Sequence, residues 1–217
     1  MILQFRNSHM NRRLPALLQP RKSPRQARSA ATIEAIHTAT IQVLLADGVG
    51  KLTTTRVAER AGVSVGTMYQ YYPHKQALLF AIVERQLETI MDTMMAATER
   101  LQGADLAILA EGLATAWLDA KTADIVSSRA IYAIAAEFDL GEHMALAMSR
   151  MIEVICGLIA TAPDTNLADA ESAAFMVAVL LGGSVRVVME AGAAEGDLAR
   201  LRRELPRACA AYLAAAN

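Results

Sequence analysis

Apolar residues recur three and four positions apart along most of the chain: Ile33, Ile36, Ala39, Val43 and Leu44 first, then Val57, Ala58 and Ala61. A longer series follows in Leu79, Ile82, Val83, Leu87, Ile90, Met94 and Leu101. That period puts them on one face of an α-helix, and the strict alternation of a half-buried strand is nowhere visible. Polar and glycine-bearing breaks at Asp47-Gly48, Gly62, Gly103, 121–124, Asp139-Leu140-Gly141, 162–166 and 191–197 divide the pattern. The pieces predict an all-α chain of about nine helices. The first runs over 29–46, a short second ends at Gly62, the third covers 65–71 and a long fourth covers 75–101. Five more fall near 104–119, 124–137, 142–161, 167–190 and 196–215. Pro206 has no amide donor and clashes with the preceding turn, so it is expected to kink or interrupt the last helix.

Residues 53–79 read as two short helices, a tight turn and the start of a third helix. Thr54 and Thr55 are candidate caps for the first, and Gly62 is its C-terminal stop. Val63 supplies an apolar plug, Ser64 is the next N-cap, and Val65 to Tyr71 form the second helix. The run Ala58, Ala61-Gly62-Val63-Ser64, Gly66-Thr67, Tyr69, Tyr71-Tyr72 and Lys75, closing on Leu78-Leu79, resembles the DNA-binding domain of the tetracycline-repressor (TetR) family. The likeness covers about residues 29 to 80, and the remainder agrees only in length and helical character.

The resemblance implies a helix-turn-helix domain over 29–76 and a helical ligand-binding and dimerisation domain over 77–217, and the basic composition of 1–28 reads as an arm ahead of them. It implies a homodimeric repressor of a palindromic double-stranded DNA operator, released by an unidentified small apolar or amphipathic effector. Thr67, Tyr69, Gln70 and Tyr71 lie on the implied recognition helix. Gln70 is the main candidate for base reading, because a carboxamide pairs bidentately with adenine. Thr67 offers a hydroxyl to phosphate or a methyl to thymine, Tyr69 and Tyr71 offer donors to phosphate, Val65 suits a thymine methyl and Gly66 permits close backbone approach. Thr54 and Thr55 sit where a helix N-terminus meets phosphate, with Lys75 and His74 at the start of the next helix. Tyr72 precedes Pro73 and reads as a packing residue.

Net charge is −1, yet it is unevenly spread. Residues 1–75 carry eleven Lys/Arg against three Asp/Glu, and 76–217 carry ten against nineteen. A basic end neutralises phosphates and releases counterions, while the acidic remainder orients the encounter with DNA. Arg6, Arg12, Arg13, Arg21, Lys22, Arg25 and Arg28 all precede the first acid, Glu34, and three prolines lie among them. That arm reads as disordered, either following phosphates or entering a minor groove, or as a solvated tail.

With 54% apolar and 5% aromatic residues, the composition suits packed helices. No uninterrupted apolar run approaches the roughly 20 residues of a membrane span and no signal-peptide core opens the chain, so no membrane partner and a cytoplasmic location are expected. Cys156 and Cys209 are far apart and read as buried free thiols.

Met91, Met94, Met95, Trp117, Tyr132, Phe138, Met148 and Phe175 are candidate linings of an adaptable apolar effector pocket; any single one of them reads first as core, and a subset is expected to surround the cavity. Arg129, His143 and Arg186 are further positions for orienting a polar group. The dimer interface is expected in the last two long helices, through Ala173, Val177, Leu180, Leu181, Ser184 and Val187. Catalysis is not expected. His9, His37, His74 and His143 are scattered, the carboxylates occur singly, and no phosphate-cradling glycine loop follows a strand, so no catalytic, metal or cofactor site is assigned. The alternatives are a ligand-independent DNA-binding regulator and a non-catalytic helical interaction protein.

Overall fold

The computed structural model describes residues 27–138 and 140–217. Among these residues it contains nine α-helices, one 3-10 turn and no strand. The helices are α1 (Ala27–Asp47), α2 (Thr54–Ala61), α3 (Val65–Tyr71), α4 (Lys75–Leu101), α5 (Leu106–Thr122), α6 (Ile125–Glu137), α7 (Gly141–Ile159), α8 (Ala170–Glu190) and α9 (Glu195–Ala216). The turn Val49–Lys51 lies between α1 and α2. The arm over 1–28 lies outside the described residues apart from its last two positions, which begin α1.

Capping explains most of the boundaries. The N-cap of α2 is Thr53, one residue before the expected Thr54 and Thr55, and its hydroxyl accepts the Arg56 amide at 3.2 Å. Ser64 caps α3 by accepting the Thr67 amide at 2.9 Å. Asp124 and Asp169 each accept the amide three residues on, at 2.9 Å, and so set the starts of α6 and α8. Both carboxyls are held below the ordinary range, Asp124 chiefly by the Ser127 hydroxyl and Asp169 chiefly by the Ser172 amide. Gly62 closes α2 in the left-handed region (φ 67°), and the Val63 amide reaches back to the Ala58 carbonyl at 3.0 Å. A side chain at that backbone angle would be strained.

Pro206 does not interrupt the last helix, because α9 continues through it. The missing amide costs one hydrogen bond in the helix. Leu205, Cys209 and Leu213 bury themselves on either side of it and hold the helix against the core.

The chain divides into two compact units, one ending at Glu84 and the other beginning at Arg85. The first is centred on Ile36, Val43, Leu52, Val57, Met68, Leu78 and Val83. Buried Tyr72 and buried His37 share a 2.7 Å hydrogen bond, which fixes the end of α3 to α1. The second unit is built on α5, α7, α8 and α9, with Leu109, Leu113, Ile155, Leu181, Val185 and Cys209 at its centre. Gly112 lets α5 approach the end of α4, where an added Cβ would come within 2.6 Å of Leu101. Cys209 is fully buried, which pushes its thiol up to about 11 and keeps it protonated, whereas Cys156 is half-buried; both are free. Among the described residues, α8 is the one helix that would suit a membrane span by length and composition, but its Ala173, Ala174, Val177, Ala178, Leu181 and Val185 stripe packs into this core.

Candidate nucleic-acid interface and regulatory unit

A seven-residue helix is too short to be stable alone, so α3 depends on what its inner side packs against. Met68 is fully buried and Tyr71 is buried on the same side, three residues on. Val65, Gly66, Tyr69 and Gln70 are exposed together on the other side. Tyr71 therefore departs from its expected role as an outward phosphate donor: its hydroxyl shares a 2.9 Å hydrogen bond with Ser29 on α1. Tyr72 is buried, as a packing residue should be.

The flanking residues gather around the outward side. The Thr54 hydroxyl donates to the Tyr69 hydroxyl at 3.2 Å, joining the start of α2 to the recognition helix. Thr55 is exposed beside it. Thr67 is half-buried, and its hydroxyl is 2.8 Å from that of Ser64. Gln70 makes no side-chain hydrogen bond within the described chain, which leaves its carboxamide available. His74 serves α4 as a cap, with Nδ1 accepting the Ala77 amide at 3.2 Å and Nε2 buried without a partner. Lys75 is half-buried and donates to the Val49 carbonyl at 3.4 Å. Arg56 pairs with Asp47 at 2.7 Å and Arg60 bonds Gln42 at 2.8 Å, both on exposed surface. Six of the basic residues in the N-terminal half, Arg6 to Arg25, lie outside the described residues.

In the second unit the expected pocket residues separate. Met94 is fully buried core; Met91, Met95, Phe138 and Met148 are half-buried. Phe175 is 48% exposed and borders an open depression with Ile152, Asp169, Glu171 and Ser172. Trp117 and Tyr132 come together around a residue the sequence reading passed over, Lys121. Its ammonium lies 5.0 Å from the Trp117 ring centre and 5.3 Å from that of Tyr132, and the residue is only 6% exposed. Burial lowers the lysine to about 8 and raises the Tyr132 phenol to about 12. Arg129 is exposed, His143 is half-buried, and Arg186 forms an exposed pair with Glu190 at 2.7 Å.

The expected dimer residues also divide. Ala173, Val177 and Leu181 are buried within the unit, Leu180 and Ser184 are half-buried, and Val187 is 67% exposed. The exposed apolar stripe of α8 is Phe175, Met176, Val179 and Val187. Two apolar stripes thus share one helix, and the expected set took half of its members from the inner one and only Val187 from the outer.

Residues 36–82 match the family model of bacterial regulatory proteins of the tetR family, and 105–213 match that of the tetracyclin repressor-like C-terminal domain. The nucleoid occlusion factor SlmA of Glaesserella parasuis serovar 5 is 30% identical over 97 residues, 44% of this chain and 45% of that protein. The chain thus spans under half the length of that curated relative. In fold it is similar to SmeT, the repressor of the Stenotrophomonas maltophilia multidrug efflux pump SmeDEF (TM-score 0.65, 20% identity, covering 83% of this chain and 91% of that one). It is also similar to the fatty acid degradation regulator FadR of Bacillus halodurans (TM-score 0.64, 17% identity, covering 86% and 96%). With both domain models matched in order on this helical framework, the chain belongs to the TetR family and is a helix-turn-helix, DNA-binding transcriptional regulator.

Proposed function

We propose that the protein is a homodimeric repressor that holds a palindromic operator and is released from it by a small apolar or amphipathic ligand bound in its second unit. The observation that carries the DNA-binding half is the division of α3, with Met68 and Tyr71 inside and Val65, Gly66, Tyr69 and Gln70 outside. One such helix reads only a few base pairs, so two copies on a palindrome supply the missing specificity. The exposed stripe of α8 supports a second copy as partner, since four large apolar side chains on one helix are left exposed by the described residues. SmeT has been solved in complex with triclosan, and that precedent for a ligand on a similar fold supports an effector here. A ligand that prefers the conformation with wrongly spaced reading heads lowers DNA affinity by its own difference in affinity for the two states.

Selection from a random DNA pool tests this reading. The wild-type protein is expected to enrich a palindrome, and Gln70→Ala to lose roughly 1–3 kcal/mol per half-site at one symmetric base position. Absence of any enriched sequence would sink the reading. Val187→Arg places a charge within the proposed contact between copies, and light scattering is expected to show a monomer where the wild type is a dimer. A variant that stays dimeric would remove the α8 stripe from the interface.

A further inference from the structure

Lys121 is at odds with its surroundings. It continues the buried face of α5 that runs through Leu113, Ala114, Trp117 and Leu118, so an ammonium stands where a leucine would pack. Among the described residues no carboxylate lies within ion-pair distance of it. Its neighbours of opposite character are two aromatic faces, which attract a cation but accept none of its hydrogen bonds in full. A methionine there would keep the packing and avoid the cost of burying a charge, so stability does not explain the lysine.

The group is also held in place from three helices. The Trp117 indole N–H donates to the Leu181 carbonyl of α8 at 2.8 Å, which fixes the ring. The Ser128 hydroxyl of α6 donates to the Lys121 carbonyl at 2.7 Å, which fixes the backbone that carries the amine. Tyr132, also on α6, supplies the second ring. An ammonium that has no carboxylate partner and is held between two rings at the edge of an apolar interior is the feature expected of a specificity point, with few polar groups set among many apolar ones.

We infer that Lys121 is the anion-recognising point of the second unit, and that the effector carries a carboxylate on an apolar body, with Trp117 and Tyr132 packing beside the carboxylate. This deepens the ligand-released reading above and rests on it. The carboxylate would accept hydrogen bonds from the ammonium, forming a charge-assisted pair beside largely apolar surface. A neutral ligand of the same shape gains no such pair, and a cationic one meets repulsion.

Trp117 is the single tryptophan of the chain, so its fluorescence reports on this site alone. Full-length protein is titrated with octanoate, octan-1-ol and octylamine, which share a chain and differ in head group. Octanoate is expected to give a saturable change at a concentration at least about ten-fold below that of the alcohol, with the amine weakest. Lys121→Met is expected to bring octanoate to the level of the alcohol, and Lys121→Arg to retain the preference. The wild-type comparison needs no variant to fold. No saturable response to octanoate, equal response to octanoate and the alcohol, or a preference that survives in Lys121→Met would each overturn the assignment. Operator release is measured separately with the same three compounds. Octanoate that binds through Lys121 without releasing DNA keeps the site and removes the ligand-released reading; release by octanoate and the alcohol alike does the reverse.

Discussion

Met68→Ala is expected to cost about 2–5 kcal/mol of stability and most operator affinity, more than any change on the outward side of the recognition helix. Met68 has no exposed surface, and truncating it leaves a cavity between α3 and the helices that support it. With only seven residues, α3 cannot compensate through its own hydrogen bonds, since a helix of that length is unstable without packing. Its loss would free Ser64 and Thr67 from their cap and take Tyr71 from Ser29. Urea unfolding followed by circular dichroism, with Gln70→Ala as the control, measures the effect. Gln70→Ala should keep the wild-type midpoint while altering base preference. Equal midpoints for Met68→Ala and wild type would show that the inner side of α3 is not what holds the reading head.

Lys121→Met is expected to act in the opposite direction and stabilise the second unit. Burial lowers the lysine from 10.5 to about 8, equivalent to about 3 kcal/mol of differential cost for the charged form, of which the two rings return a part. Below about pH 8 the amine is charged in both folded and unfolded chains, and the folded state bears the full cost. Between about 8 and 10.5 the folded state loses its proton first, the unfolded chain binds more protons, and stability rises with pH. The gain from methionine should therefore be largest at pH 7 and shrink toward pH 10. Urea midpoints of both proteins at the two pH values check it. A variant less stable than wild type at pH 7 would mean that the lysine stabilises the fold.

Helix positions were legible in the sequence because period, glycine and capping residues agree. Gly62 and Ser64 ended and began the two short helices where expected, and α4 occupies its expected span. What the period could not give is phase on a helix apolar on most sides. On α8 the Ala173, Val177 and Leu181 series and the Phe175, Val179 and Val187 series both fit helical spacing, and only packing distinguishes inner from outer. Tyr71 was misjudged for a related reason, since its polar hydroxyl suggested an outward role while its spacing from Met68 set it inside. Lys121 was passed over because residues 121–124 carry charge and read as a break. The helix extends to Thr122, and that last turn brings the lysine onto the buried face. A check on whether a charge at a helix end continues the apolar stripe would have found it.

The separation of the two sides of α3 bears on how regulators of this kind diversify. The anchoring groups, Met68 and Tyr71 with the Ser64 cap, are distinct from Gly66, Tyr69 and Gln70, which face away from them. Substitutions at Gln70 can change the DNA address without disturbing the contacts that keep the helix folded. After gene duplication, one copy can drift to a new binding sequence through stable intermediates, because the letters that are read and the letters that hold the reader are different residues.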